Sequence, residues 1–131
     1  MPSPLNGASV GVEAVRTLAL VGPSAAGKTC LSEALLHRSG MLATPGSLER
    51  GGTVSDFDPL ERRMQHSLNA TVMHLQHAGT RVHFIDTPGG PDFLVQSLPA
   101  LEAVETAAIV INAATGIEPM AVRMMAYAAE R

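Results

Sequence analysis

The segment 22–29, which reads Gly-Pro-Ser-Ala-Ala-Gly-Lys-Thr, constrains the fold more than any other part of this 131-residue chain. It follows a short apolar run, residues 17–21, and precedes a stretch, 29–38, with apolar positions at helical spacing. Glycines let backbone N–H groups wrap closely around phosphate oxygens, and a helix N-terminus adds a partial positive charge. The pattern and its strand–loop–helix context therefore predict a phosphate-binding loop (P-loop).

Lys28 is the only lysine of the chain, since the other basic residues are all arginines. In a P-loop a lysine contacts the β- and γ-phosphates, and the hydroxyl that follows ligates Mg²⁺, a hard cation that prefers oxygen. A strand-to-helix turn that merely favours glycine would leave this lysine unexplained. The predicted nucleotide-binding residues in this loop are Gly22, Pro23, Ser24, Ala25, Ala26, Gly27, Lys28, Thr29 and Cys30.

A second motif, Asp86-Thr87-Pro88-Gly89, follows a predicted strand over residues 81–85. Carboxyl ends of parallel strands meet at one edge of a sheet, so Asp86 is expected beside the P-loop. There it would hold Mg²⁺, and the Gly89 N–H would contact a γ-phosphate. Such a turn is common by itself, but its pairing with a P-loop makes it informative.

Helical stretches alternate with apolar strands, and a hairpin is predicted around residues 78–80, between an alternating segment (67–77) and the strand 81–85. Asp58, Pro59 and Glu61 have the spacing of a helix start, with N-cap, first and third positions filled. A helix over 93–104 would have to tolerate Pro99. The order predicts an α/β fold with a mainly parallel sheet and one antiparallel edge strand. Residues 1–16 are predicted to be a flexible leader before a domain spanning 17–131.

Composition mainly excludes other classes of protein. A hydrophobic content of 46% and a net charge of −3 argue against a disordered chain and against a broad basic surface for nucleic acid. No apolar run is long enough for a membrane span. One cysteine, Cys30, excludes an intrachain disulfide and suits a reducing, cytoplasmic setting; its side chain is expected in the core. His74, His77 and His83 lie on the predicted hairpin without ligand-spaced partners, so solvated positions are favoured over a zinc site.

The chain resembles the translational GTPases of the elongation factor G and elongation factor G-like group. The resemblance covers residues 17–131 and is carried by four segments: 22–29, 52–59 (Gly-Thr-Val-Ser-Asp-Phe-Asp-Pro), 85–93 (Ile-Asp-Thr-Pro-Gly-Gly-Pro-Asp-Phe) and 110–119 (Val-Ile-Asn-Ala-Ala-Thr-Gly-Ile-Glu-Pro). It implies a three-layer P-loop NTPase fold (a G domain), with GTP or GDP and Mg²⁺ as ligands. It also implies a cytoplasmic role in protein biosynthesis, with the ribosome as partner through the full-length protein.

Three departures from the family pattern qualify this resemblance. Gly90 stands where the family has a histidine that assists hydrolysis, which leaves the catalytic group unknown and His66 as one substitute to weigh. Ser67 takes the place of the family's Mg²⁺-binding threonine in the first switch, so the predicted metal residues are Thr29, Ser67 and Asp86. The guanine-reading Asn-Lys-x-Asp is absent, which implies a domain truncated after about four strands with an open sheet edge.

The leading hypothesis is an Mg²⁺–GTP-binding segment of a factor for translocation or ribosome disassembly, in which hydrolysis is weak. A nucleotide-gated binding module without hydrolysis is the alternative from a different class. A P-loop ATPase or small-molecule kinase is a third, against which the resemblance speaks. No membrane and no sequence-specific nucleic acid contact are expected for this segment.

Overall fold

The computed structural model describes residues 11–47, 50, 52–55, 58–64, 67–90 and 94–130. Within these ranges one sheet contains the strands β1 (Val15–Val21), β2 (Thr71–His77), β3 (Thr80–Asp86) and β4 (Thr106–Ile109). The helices are α1 (Lys28–Arg38), α2 (Pro59–Met64), α3 (Leu94–Glu102) and α4 (Pro119–Ala129), and a short 3-10 helix, Val12–Ala14, precedes β1.

The strand order in the sheet is β2-β3-β1-β4. β1 lies between β3 and β4 and runs parallel to both, whereas β2 pairs antiparallel with β3 at the edge. The predicted α/β fold, with a mainly parallel sheet and one antiparallel edge strand, is confirmed. The central position of β1 explains its apolar sequence, because helices cover both faces of a parallel sheet.

The two faces of the sheet carry separate cores. On one face Leu20 of β1 packs with Phe84 and with Leu36 of α1. On the other face Ala19 and Val21 pack with residues of α3 and α4, among them Leu101 and Met124. The alternation of side chains along β1 therefore joins the two layers of helices to one strand.

The strands differ from the predicted ones mainly at their ends. β1 begins at Val15, two residues before the apolar run, because its first residues still pair with β3. β2 begins at Thr71 and not at Ser67, since Thr71 lies opposite Asp86, the last residue of β3. The core-facing residues of β2 are Met73 and Leu75.

The helix α2 forms the predicted capping box. Asp58 Oδ1 accepts the Leu60 N–H at 2.7 Å, and Glu61 Oε2 accepts the Asp58 N–H at 3.2 Å. Glu61 is fully buried in this helix. α3 contains Pro99, as predicted, and ends at Glu102.

Some predictions concern residues outside the described ranges. They include part of the predicted leader, residues 1–10, and the segment 91–93 that precedes α3. His66 also lies outside the described residues. The division of the chain at residue 16 stays a prediction.

Candidate nucleotide-binding site

The predicted P-loop connects the end of β1 to the first residue of α1. Gly22 has φ +150°, and a Cβ on it would overlap the carbonyl oxygen of Val110. Gly27 has φ +98° immediately before α1, a value that L side chains rarely adopt. Ala25 also has a positive φ, of 59°, in the left-handed region. The loop is therefore folded back sharply, and the two glycines stand where a side chain is excluded or strained.

Lys28 lies inside the loop and is only 6% exposed. Its Nζ donates to the carbonyl oxygens of Gly22 at 3.0 Å and Pro23 at 2.9 Å. Burial lowers the pKa of Lys28 below its usual 10.5, an effect that the nearby Asp86 carboxylate partly offsets. An ammonium group with few solvent contacts gains strongly from an anionic partner.

Three side-chain oxygens from three parts of the chain meet beside Lys28. Thr29 Oγ1 donates to Asp86 Oδ2 at 2.8 Å, and it lies 3.3 Å from Ser67 Oγ. All three residues are buried. Two hydroxyls and a carboxylate are hard oxygen donors, so this cluster fits the ligands that Mg²⁺ prefers. The residues that would hold the ion are Thr29, Ser67 and Asp86.

The segment after β3 packs directly on the P-loop. Thr87 is buried and its hydroxyl donates to the carbonyl oxygen of Leu20 at 2.8 Å, which joins the segment to β1. A Cβ on Gly89 would lie 2.6 Å from both Pro23 C and Ser24 N, and it would also overlap Lys28 Nζ. Gly89 therefore lies against the loop at a distance that only glycine permits.

Gly90 and Cys30 are two further residues of the predicted site. Gly90 follows Gly89 and is half-buried. Cys30 is exposed on α1, so the interpretation of its side chain as a core residue was wrong. The inward side of α1 is occupied by Ser32, Glu33 and Leu36, which leaves Cys30 on the outer side. The proposed contact of Cys30 with nucleotide stays a prediction.

The sequence did not indicate three residues that support this site. Asn112 Nδ2 donates to the Ala25 carbonyl oxygen at 3.4 Å, and its position after a strand beside β1 was an available signal. Glu33 and Glu61 are buried carboxylates that accept backbone N–H groups of the loop between α1 and β2. No sequence pattern indicates those loop contacts.

The described residues contain no cluster of three or more His, Cys, Asp or Glu side chains that could hold a metal ion. His74 and His83 are neighbours across the hairpin, with ring centroids 5.8 Å apart. In the described part of the chain, no helix has the length and apolar character needed to cross a membrane.

A P-loop between a central strand and a helix, with a carboxylate from the neighbouring parallel strand, defines the class of P-loop nucleotide-binding proteins. Within that class, a sequence model described as "Elongation factor Tu GTP binding domain" matches residues 13–131. The chain belongs to this family, as an elongation factor G-like GTP-binding domain.

Individual relatives agree with this assignment. An "Elongation factor G-like protein" of Mycobacterium tuberculosis (strain H37Rv) is 44% identical over 108 residues, 82% of this chain and 15% of the relative. "Peptide chain release factor 3" of Lactobacillus acidophilus is 32% identical over 124 residues, 92% of this chain and 24% of the relative. A crystal structure of a Thermus thermophilus protein has a TM-score of 0.85 and 35% identity, covering 88% of this chain and 17% of that one. The chain thus spans only 15% to 24% of the length of these proteins.

Proposed function

We propose that this chain binds GTP and GDP with Mg²⁺ and acts as the nucleotide-dependent switch of a translation factor on the ribosome. The observation that carries the proposal is the convergence of Thr29, Ser67 and Asp86 oxygens beside the buried Lys28. Mg²⁺ held by these residues would supply positive charge to offset the charge of the phosphate oxygens. Family membership supports guanine over adenine nucleotides, and hence this function over an ATPase or kinase.

Each part of the site has a separate task in this proposal. Lys28 would exchange its carbonyl contacts within the loop for the β- and γ-phosphates. Thr29 and Ser67 would bind the metal through their hydroxyls, with Asp86 holding it directly or through water. Gly89 would present its N–H to the γ-phosphate, so that the segment 87–89 responds to whether that phosphate is present.

The test is titration of a fluorescent mant-GTP into the protein as its gene encodes it, with and without Mg²⁺, and with competition by unlabelled GTP and ATP. We expect saturable binding that GTP but not ATP displaces. Lys28→Ala should weaken binding roughly 10- to 100-fold, since a charged hydrogen bond contributes about 1.5–3 kcal/mol. Absence of saturable binding by the wild-type protein would overturn the proposal.

Hydrolysis is proposed to be slow, because Gly90 provides no side chain at the position that the resemblance assigns to an assisting histidine. Phosphoryl transfer depends on positioning of the attacking water and on charge stabilisation. In single-turnover hydrolysis with ribosomes, Gly90→His should raise the rate roughly 100-fold, the size of one general acid–base contribution. The matched control is Gln76→His, which adds the same side chain on β2 and should leave the rate unchanged.

The second candidate function is a GTP-gated binding module without hydrolysis, which the same Gly90 favours. It predicts GTP-dependent ribosome binding with no measurable turnover in the wild-type protein. A readily measurable wild-type rate that Gly90→His does not raise would contradict both the slow-hydrolysis proposal and this alternative. The ribosomal complex that stimulates the rate of GTP hydrolysis would identify the ribosomal step, either translocation or disassembly.

A further inference from the structure

Glu61 is a fully buried carboxylate on a helix that is otherwise largely exposed. Leu60, Arg62, Arg63 and Met64 of the same helix, α2, are all exposed to solvent. Removing a carboxylate from water is costly unless hydrogen bonds compensate for the lost hydration. The place of Glu61 in the fold therefore depends on the groups that donate to it.

The two oxygens of the Glu61 carboxylate accept hydrogen bonds from different parts of the chain. Glu61 Oε1 accepts the backbone N–H of Leu68 at 2.9 Å and that of Asn69 at 3.0 Å, and Asn69 Nδ2 lies at 3.4 Å. Glu61 Oε2 accepts the Asp58 N–H at 3.2 Å. One oxygen thus closes the capping box of α2, and the other holds the segment just before β2.

Within the described ranges, the segment held by Glu61 is not part of the sheet. β2 begins at Thr71, opposite the last residue of β3, so the Leu68 and Asn69 N–H groups lie beyond the ladder. Ser67 precedes them directly, and its Oγ lies 3.3 Å from Thr29 Oγ1. The backbone that presents the Ser67 hydroxyl to Thr29 is therefore anchored by Glu61.

We propose that Glu61 is a positioning residue that places the Ser67 hydroxyl at the Mg²⁺ site, an inference that rests on the proposed function. Glu61 acts through the backbone of Leu68 and Asn69 and is not itself a ligand. Groups that orient metal ligands commonly contribute a factor of roughly 10 to 100 to metal affinity. The metal response of the protein therefore depends on a carboxylate outside the P-loop and outside the Asp86 motif.

The experiment measures the Mg²⁺ concentration that half-saturates binding of a non-hydrolysable mant-GTP analogue by the protein as its gene encodes it. Ser67→Ala and Glu61→Ala should each raise this concentration roughly 10-fold. The double variant should be no worse than either single variant, because both changes remove the same metal contact. Amide hydrogen exchange at Leu68 and Asn69 should be faster in Glu61→Ala.

Two further variants separate positioning from stability. Asp58→Ala removes the N-cap of the same helix without touching Leu68 or Asn69, so it should lower the melting temperature and leave the Mg²⁺ response unchanged. Glu61→Gln keeps an oxygen for Leu68 and Asn69 but places an amide against the Asp58 N–H. Amide hydrogen exchange at Leu68 and Asn69 should therefore be slow in Glu61→Gln, and most of the Mg²⁺ response should be retained. This variant also provides a test if Glu61→Ala does not fold.

The outcomes distinguish this inference from the function on which it rests. Two results would overturn the positioning role alone, provided that the wild-type protein binds nucleotide in a Mg²⁺-dependent way. The first is an unchanged Mg²⁺ requirement in Glu61→Ala. The second is an additive effect of Glu61→Ala and Ser67→Ala on that requirement. The positioning role would also fail if Asp58→Ala raised the Mg²⁺ requirement as much as Glu61→Ala, or if a folded Glu61→Gln raised it as much as Ser67→Ala. A wild-type protein without Mg²⁺-dependent nucleotide binding would overturn the proposed function and, with it, this inference.

Discussion

Lys28 shows how one residue can be costly to the fold and useful to the site. Its ammonium is held by two loop carbonyls in a place with little solvent, and burial lowers its pKa. The charged form is therefore less favourable in the folded protein than in the unfolded chain. Phosphate oxygens would offer a full negative charge where the loop offers only carbonyl dipoles.

The first prediction concerns the pH dependence of stability. Because the folded-state pKa of Lys28 lies below 10.5, the folded protein binds fewer protons than the unfolded chain as the pH approaches that value. The free energy of unfolding of the wild-type protein should therefore rise with pH, relative to Lys28→Met, in the interval below 10.5. Urea unfolding of both proteins at neutral and alkaline pH measures this, and a difference that falls with pH would contradict it.

The second prediction concerns the contact between Gly89 and the P-loop. A methyl group at Gly89 would lie 2.6 Å from the backbone atoms Pro23 C and Ser24 N, so the loop must move. We expect Gly89→Ala to destabilise the fold by about 1–3 kcal/mol, as overpacking does, and to weaken nucleotide binding. Unfolding by denaturant and mant-GTP titration measure the two effects.

Gly52→Ala is the matched control for this change. A Cβ on Gly52 would meet no atom within 4 Å, and its φ is not in the left-handed region. The same substitution there should be neutral or slightly stabilising, by up to about 1 kcal/mol. Equal losses in the two variants would show that the close approach of Gly89 has no energetic effect.

At the scale of elements, the hairpin between β2 and β3 follows from local sequence. Ala78 and Gly79 form its turn, both with positive φ, of 48° and 77°. Such a turn matches the twist of the two strands and is preferred by Asn-Gly. Gly79 adopts a positive φ without strain, whereas Ala78 does not. The Ala-Gly sequence is therefore not the most stable one for this turn.

The third prediction follows from that strain. Ala78→Asn should stabilise the protein by about 1 kcal/mol, because asparagine tolerates the left-handed region better than alanine. Nucleotide affinity should not change, because the turn lies at the opposite end of β3 from Asp86. Thermal unfolding and mant-GTP titration check both expectations. The reverse control, Gly79→Ala, should lower the melting temperature, and a higher one would contradict the explanation.

At the scale of the whole molecule, two helical layers depend on one sheet. Phe84 is fully buried on the face that α1 covers, while Met124 is buried on the face of α3 and α4. The site lies at the edge where β1 and β3 end, between these layers. Loss of packing on either face therefore affects the strands that carry the P-loop and Asp86.

The fourth prediction tests this dependence. Phe84→Ala should cost about 3–5 kcal/mol of stability through lost burial and a residual cavity. This is a large part of the net stability of a domain, so nucleotide binding should be lost together with the folded state. Phe84→Leu, which keeps most of the volume, should cost less and retain binding. Denaturant unfolding measures both, and equal costs would contradict the packing argument.

Much of the site could be predicted from sequence because its parts are local. The P-loop needs glycine at fixed positions, and Asp86 follows a strand whose neighbour in the sheet could be inferred. Ser67 was predicted as a metal residue only from the family resemblance, and the structure brings its hydroxyl next to Thr29. The roles of these residues toward nucleotide and metal stay predictions.

The sequence by itself determined the strands, the helices, the sharp turns and the class of site, because glycine geometry, capping and apolar periodicity act over a few residues. Only the tertiary structure decided the start of β2 at Thr71, the exposed position of Cys30 and the contact of Gly89 with the loop. It also decided the burial of Glu33 and Glu61. These features depend on which distant backbone groups come within hydrogen-bonding or packing distance, and spacing along the chain does not specify that.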